Sequence, residues 1–173
     1  MTIKPFKLGE DRLTEARLVE LASAPNPPLV VTPPAKDRLL AYRRSVEGIL
    51  NSGDKVYGIN TGFGFLANVA IEPSKLSQLQ VNLVRSHACG VGSPVADPIV
   101  RGLLVLRAHT FLLGHSGVRL ETLDQVLSFL KHDILPIIPC QGSVGASGDL
   151  APLAHLALGL MGEGDVRVKG EVL

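Results

Sequence analysis

The 173-residue chain has little cysteine, few aromatic residues and no excess of charge of either sign. Its two cysteines, Cys89 and Cys140, stand in no CxxC or Cys/His ligand spacing, which argues against a disulfide framework and a structural zinc site. Seventeen Lys and Arg residues balance sixteen Asp and Glu residues, so the basic footprint that nucleic-acid binding requires is missing. We therefore expect reduced thiols and no nucleic-acid partner.

Long apolar runs and a secretion signal are also missing. The chain is 46% hydrophobic with a mean hydropathy of +0.28, yet Arg101, Arg107 and His109 interrupt its most apolar stretch. No run reaches the roughly eighteen apolar residues of a membrane span. The first residues lack both an apolar core and a small-residue cleavage site. The expectation is a cytoplasmic chain without a membrane partner, forming one domain or a large part of one.

Several familiar cofactor and catalytic motifs are absent. The G-x-G-x-x-A run that begins at Gly62 does not lie in a strand-to-helix turn, and no G-x-x-x-x-G-K-[ST] sequence exists. The segment from Gly145 to Asp149 fails the G-x-S-x-G pattern of serine hydrolases at its last residue. The five histidines form no H-x-x-x-H pair. We expect neither a nucleotide nor a metal cofactor.

The chain does contain a series of helix signals. Periodic apolar residues between start and stop signals predict helices, and one alternating segment predicts a strand. The predicted helices are Ala35 to Asn51, Pro73 to about Cys89, Asp97 (as N-cap) to about Gly114, about Thr122 to Lys131, and Asp149 to about Met161; the predicted strand is Val166 to Val168. The fold class is therefore mainly α with minor β.

The helix predicted from Asp97 is apolar almost all round, which predicts deep burial. An exposed apolar face between Pro98 and Leu113 would instead favour a partner-binding role.

Two glycine-rich loops separate these helices, one from Tyr57 to Gly64 and one from Gly142 to Gly148. Each loop mixes glycine with aromatic or apolar residues that can pack, so neither resembles a flexible linker. Shaped loops of this kind are where chemistry tends to lie.

The second loop leads into a helix, and composition alone makes Ser147 or Asp149 an N-cap. A rarer outcome is open to such small residues. In a tight turn the amide nitrogen of Gly148 can approach the carbonyl carbon of Ala146, because neither side chain obstructs closure. Ring closure and the loss of two waters would leave Ser147 as a dehydroalanine within a five-membered imidazolone.

The run GSVGASGDLAPLAH, from Gly142 to His155, resembles the signature of the histidine and aromatic amino-acid ammonia-lyases. In that family Ala-Ser-Gly becomes 4-methylidene-imidazol-5-one, or MIO. The segments YGINTGFG from Tyr57 and NLVRSHACGVG from Asn82 match two further family motifs in the expected order.

The resemblance runs from near residue 1 to residue 173. It implies that residues 1–173 are a truncated N-terminal, MIO-bearing helical domain of the ammonia-lyase (fumarase/aspartase-like) fold, without the family's central helical bundle and C-terminal part. It also implies a homotetramer in the full-length protein, with each active site built from three subunits.

The resemblance assigns roles to individual residues. Ala146, Ser147 and Gly148 would form the MIO, and the start of the following helix would favour the negative charge that builds on its oxygen. Tyr57 would be the general base for the β-proton of the substrate, on a mobile loop. Gly64 would lie against the substrate ring.

Tyr57 also has a plainer interpretation, in which its ring packs the loop together with Phe63 and Phe65. For two further residues the sequence predicts no role in catalysis. Cys140 is expected to be buried, and His155 is expected to be structural.

The dipeptide Ser86-His87 is expected to bind the substrate. In the family, Ser-His at this place accompanies histidine lyases, whereas His-Leu and Phe-Leu accompany tyrosine and phenylalanine activity. His87 follows Leu79 and Leu83 on one helical stripe, which predicts that it faces inward. An imidazole there can hydrogen-bond a polar substrate ring.

The expected activity is therefore the elimination of ammonia from L-histidine to give urocanate, through the MIO electrophile. Two alternatives remain open. One is a tyrosine or phenylalanine ammonia-lyase or aminomutase. The other is a non-catalytic fragment that acts as an interaction or structural domain.

Overall fold

The computed structural model describes residues 3–64, 69, 71–146 and 148–173 of the chain. Helices dominate these residues, which confirms the mainly α class. The helices are α1 (Glu15–Ala22), α2 (Pro33–Ser52), α3 (Leu76–His87), α4 (Asp97–Leu112), α5 (Leu120–His132) and α6 (Leu150–Met161), with a 3₁₀ turn (Pro73–Lys75) before α3. The strands are β1 (Phe6–Lys7), β2 (Leu29–Val30), β3 (Val91–Pro94), β4 (Ile134–Pro136), β5 (Pro139–Gln141), β6 (Val166–Val168) and β7 (Glu171–Val172).

The five predicted helices and the predicted strand are all present, with small differences at their ends. One predicted cap is wrong. Ala96 occupies the N-cap of α4 and Asp97 is already helical. The Asp97 carboxylate instead accepts from the Arg167 guanidinium of β6. A carboxylate in the first turn still complements the helix dipole.

Helix α4 lies at the centre of the core and contacts α1, α2, α5 and β4. One side of α4 is buried, as its apolar sequence predicts. The buried side chains that form this core come from five helices and two strands of the described residues, as well as from the segments between them. They include Phe6, Leu8, Leu21, Leu39, Val100, Leu104, Val105, Leu112, Leu123, Val126, Leu135, Ile138 and Leu156.

Burial of α4 is not complete, so the predicted deep burial holds for one side of the helix and not for the other. Ile99 is 57% exposed, Leu106 is 37% exposed and Leu113 is 39% exposed. These residues recur every seven positions and so share one face of the helix. Among the described helices, none combines the length and apolarity needed to cross a membrane.

The described strands form three small sheets beside the helices. Strands β1 and β2 pair in parallel near the N-terminus, and β6 pairs antiparallel with both β4 and β7. Strands β3 and β5 pair antiparallel, with Val91 opposite Gln141. That pairing brings the segment after α3 next to the segment that leads into the Gly142 loop.

Candidate functional site

The loop between β5 and α6 carries the Ala-Ser-Gly tripeptide. Ala146 and Gly148 are exposed, whereas Ser147 lies outside the described residues. Gly145 has a φ of +73° and Gly148 a φ of +111°, conformations that L side chains rarely adopt. A Cβ atom added at Gly148 would meet nothing within 4 Å. The backbone on either side of Ser147 therefore has room to rearrange.

A side-chain hydrogen bond closes this loop across the tripeptide. The hydroxyl of Ser143 donates to the carboxylate of Asp149. Asp149 occupies the N-cap position of α6, but its side chain makes no capping hydrogen bond. The side-chain cap expected from the sequence is therefore not formed, and the carboxylate instead joins the two ends of the loop.

These features fit an imidazolone formed from the tripeptide. Cyclisation needs small residues that leave the backbone free to close, and the loop has Ala146 and Gly148 between ends that the Ser143–Asp149 hydrogen bond joins. Helix α6 begins two residues after Gly148, so its unpaired N–H groups and positive dipole end lie next to the ring in sequence.

The Tyr57 loop is organised by Asn60, a residue that the sequence analysis did not single out. The Val56 N–H donates to Asn60 Oδ1 at 2.8 Å, and Asn60 Nδ2 donates to the Asp54 carbonyl at 2.7 Å. The Ile71 N–H donates to the Asn60 carbonyl at 3.0 Å. Asparagine commonly closes turns in this way, which was the available signal.

Tyr57 is 62% exposed on this loop. Its ring meets Phe63 edge to face, with centroids 6.0 Å apart. That contact agrees with the plain interpretation of Tyr57, while Phe65 lies outside the described residues. Gly64 is exposed, has a φ of +55° and borders open space.

Ser86 and His87 lie in the last turn of α3. His87 Nδ1 lies 2.8 Å from the Leu83 carbonyl and 3.0 Å from Ser86 Oγ. Ser86 Oγ donates to the same carbonyl at 2.9 Å. Because a carbonyl oxygen only accepts, His87 Nδ1 carries a proton in this arrangement. With that tautomer, Nε2 of a neutral His87 is an acceptor, and no hydrogen bond to it is found among the described residues.

The stripe that contains His87 is only half-buried. Leu79, Leu83 and His87 are each partly exposed, and none of the side chains of α3 is fully buried. His87 therefore lies on the less exposed side of α3, as predicted, but that side is not fully buried. Within this chain, α3 packs mainly against α6.

The end of α3 and the tripeptide loop meet at Gly90. The Gly90 N–H donates to His155 Nε2 at 3.0 Å, which agrees with the structural role expected for His155. The expected burial of Cys140 is wrong. Its side chain is exposed, with Sγ 3.6 Å from Ser93 Oγ.

The contacts of Tyr57 do not include the residues that meet around Gly90 within the described part of the chain. Within residues 3–64, 69, 71–146 and 148–173, no side-chain hydrogen bond or ring contact joins Tyr57 to Ser86, His87 or the tripeptide loop. In the same residues, no three His, Cys, Asp or Glu side chains come together as metal ligands would.

The three motifs, the helical fold and the small-residue loop define a class of protein. Residues 13–173 match the family model described as aromatic amino acid lyase, and the chain belongs to that family.

The similar proteins include several histidine ammonia-lyases. The histidine ammonia-lyase of Deinococcus radiodurans is 54% identical over 138 residues, which cover 80% of this chain and 26% of that protein. That of Sorangium cellulosum is 51% identical over 164 residues, which cover 93% of this chain and 32% of that protein. The chain thus spans about a quarter to a third of the length of these relatives.

Solved structures with the same fold carry more than one activity in their names. Histidine ammonia-lyase from Trypanosoma cruzi superposes with a TM-score of 0.88 at 37% identity, over 98% of this chain and 33% of that one. Ergothionase from Treponema denticola superposes with a TM-score of 0.91 at 29% identity, over 98% and 34%. A tyrosine aminomutase superposes with a TM-score of 0.88 at 34% identity, over 98% and 32%.

Proposed function

We propose that the protein carrying this chain is an ammonia-lyase that eliminates ammonia from L-histidine to give urocanate. The single observation that carries this proposal is identity above 50% to histidine ammonia-lyases over most of the chain. Residues 1–173 then act as the MIO-bearing N-terminal domain of a cytoplasmic homotetramer.

The MIO forms from Ala146, Ser147 and Gly148 without any other reactant. The Gly148 nitrogen bonds to the Ala146 carbonyl carbon, whose oxygen leaves as water, and Ser147 loses its hydroxyl and a proton as a second water. Held between Ala146 and Gly148, the group would supply an electrophilic carbon for activation of the substrate amine as a leaving group.

The residues of this chain hold the substrate and move its proton. His87, protonated at Nδ1 by its bond to the Leu83 carbonyl, accepts at Nε2 from an N–H of the substrate imidazole. A phenyl ring has no such donor, and a leucine in place of His87 would leave the imidazole N–H unpaired. Tyr57 removes the β-proton, and its exposed position leaves the ring accessible to a substrate.

Turnover of different amino acids tests the substrate. The protein is offered L-histidine, L-tyrosine and L-phenylalanine in turn. We expect urocanate absorbance from histidine and no cinnamate-type product from the other two. Activity on tyrosine alone would refute the assignment of Ser86-His87 to an imidazole ring.

The variant Ser147→Ala tests the electrophile. Without the serine hydroxyl there is no dehydration, so we expect turnover to be abolished while the helical circular dichroism is unchanged. Ser128→Ala, on α5, is the matched control and should keep full activity. Substantial activity in Ser147→Ala would contradict the MIO assignment.

Two alternatives have some support. The tyrosine aminomutase fold match favours a lyase or aminomutase for tyrosine or phenylalanine, and the same substrate panel distinguishes it. The exposed face of Ile99, Leu106 and Leu113 on α4 favours an interaction domain without activity. An uncyclised Ala146-Ser147-Gly148 tripeptide in the protein purified from its own cell, together with no turnover of any of the three amino acids, would favour that second alternative.

A further inference from the structure

Two contacts attach the end of α3 to α6 and to the segment after it. Arg85 binds Glu163 with two hydrogen bonds of 2.7 Å and 2.8 Å. The Gly90 N–H donates to His155 Nε2. In sequence these contacts lie on either side of Ser86-His87. Because none of the side chains of α3 is fully buried, its position depends on such contacts rather than on a core of its own.

Gly90 also touches the loop that leads to the tripeptide. A Cβ atom added at Gly142 would lie 2.9 Å from Gly90 Cα, and one added at Gly90 would lie 3.0 Å from His155 Nε2 and 3.2 Å from the Gln141 carbonyl oxygen. We call Gly90, Gly142 and His155 the Gly90 junction. Two segments that bear candidate site residues therefore meet here with no free space between them.

His155 Nε2 can act as a permanent hydrogen-bond acceptor for the Gly90 N–H. An N–H can donate to Nε2 only if that nitrogen holds a lone pair, so His155 is neutral with its proton on Nδ1. The side chain is half-buried, and burial lowers its pKa. The acceptor is consequently retained around neutral pH.

We propose that His155 is a positioning residue, which fixes the distance between Ser86-His87 and the Ala146-Ser147-Gly148 loop through its hydrogen bond to Gly90. The inference rests on the proposed function, since it concerns where the substrate ring is held relative to the electrophile. Among the described residues, the side-chain hydrogen bond of His155 goes to Gly90 and to neither group. Its loss lets the end of α3 move, so the substrate ring is held less well while the electrophile still forms.

Three variants and one control distinguish the hydrogen-bond acceptor at His155 Nε2 from the packing of its side chain. His155→Leu keeps an apolar body but accepts no hydrogen bond, whereas His155→Gln can place an amide oxygen near the position of Nε2. His132→Leu, on the exposed last turn of α5, is the matched control. Gly90→Ala leaves His155 intact but pushes a methyl group against it. This last variant tests the junction even if His155→Leu does not fold.

Amide hydrogen exchange at Gly90 reports on the contact without any activity. Loss of one hydrogen bond is worth about 1 kcal/mol, which is about a fivefold change in the opening equilibrium. We therefore expect exchange about fivefold faster in His155→Leu and close to the wild-type rate in His155→Gln and His132→Leu. Unchanged exchange in His155→Leu would overturn the proposal. Equal acceleration in the Leu and Gln variants would overturn the acceptor role.

Kinetics on histidine then report on positioning. In the natural protein we expect His155→Leu and Gly90→Ala to raise KM by about tenfold while kcat changes less, with His155→Gln nearer to the wild type. A mass deficit of two waters should persist in all of them. Faster exchange at Gly90 with unchanged KM would limit His155 to a structural role. Lack of urocanate from the wild-type protein would instead remove the proposed function, and that failure is seen without any variant.

Discussion

Gly142 is the residue with the least tolerance for a side chain in the candidate site. Its φ of +149° lies in a region that L residues rarely adopt, and an added Cβ would meet the backbone of Gly90. Backbone atoms cannot move aside as the end of a flexible side chain can. Gly142 was recognised in the sequence as part of a glycine-rich loop. Its partner Gly90 was not, because the two residues meet only through the pairing of β3 with β5.

The variant Gly142→Ala should therefore destabilise the protein. Gly170→Ala is the matched control, because Gly170 also has a positive φ (+89°) but borders open space. We expect Gly142→Ala to lower the free energy of unfolding by about 2 kcal/mol more than Gly170→Ala does, in urea titrations. Equal losses in the two variants would show that the Gly90 contact does not exclude a methyl group.

At the scale of elements, Arg101 joins three helices. The Arg101 side chain is buried within α4. Its guanidinium donates to the Ala22 carbonyl at the end of α1 and to Asp133 Oδ1 just after α5, at 2.6 Å and 2.8 Å. A helix end leaves carbonyls without partners, and Arg101 satisfies one of them for α1. Arg101 thus links the ends of α1 and α5 to α4, in addition to the apolar packing between these helices.

Removal of that side chain has a measurable cost. Arg101→Met leaves the Ala22 carbonyl and the partly exposed Asp133 carboxylate without their donor, so we expect the free energy of unfolding to fall by about 2 kcal/mol. Arg44→Met, on an exposed position of α2, should change it by less than about 0.5 kcal/mol. Denaturation of both variants in urea checks this. A loss for Arg101→Met as small as that of the control would contradict the bridging role.

The same scale shows what could be predicted from sequence. Helices α2 to α6 were predictable because Pro, Gly and periodic apolar residues mark their limits. Helix α1 was missed because eight residues are too few for a clear helical period, although Thr14 caps it by accepting from the Arg17 N–H. All of the described strands have four residues or fewer, and only the alternation of β6 was recognised.

The candidate site was predictable in part for a similar reason. Each motif was visible as a local run of residues, but the contact between Gly90 and His155 joins positions 65 residues apart. The face of α4 that stays exposed was likewise invisible, because the sequence of that helix is apolar on nearly every side. Such features depend on how the elements pack, and no local pattern records them.

At the scale of the whole molecule, two partly buried histidines link stability to pH. His109 Nδ1 accepts from the Gly9 N–H at 3.0 Å, as His155 Nε2 does from Gly90. Burial lowers the pKa of both rings below the ordinary 6.5, and the Asp11 carboxylate opposes this only weakly for His109. Both rings are therefore neutral acceptors in the folded protein.

The sign of the pH dependence follows from proton binding. Below the ordinary pKa of 6.5, His109 and His155 are protonated in the unfolded chain but stay neutral in the folded chain until the pH is lower. The free energy of unfolding therefore falls as the pH drops. The contribution is fully present above that pKa and is lost as the pH falls through the lowered values. Urea titrations from about pH 8 to pH 5 check this, with His109→Gln expected to flatten the slope. Stability that rises on acidification through this window would contradict the account.

The mass of the mature tripeptide tests the central claim most directly. The protein is purified from the cell that makes it, digested, and the peptide containing Ala146 to Gly148 is weighed by mass spectrometry. We expect a deficit of two water molecules relative to the encoded sequence, located on these three residues and absent in Ser147→Ala. A wild-type peptide of the full encoded mass would contradict the cyclised electrophile and the deamination chemistry that depends on it.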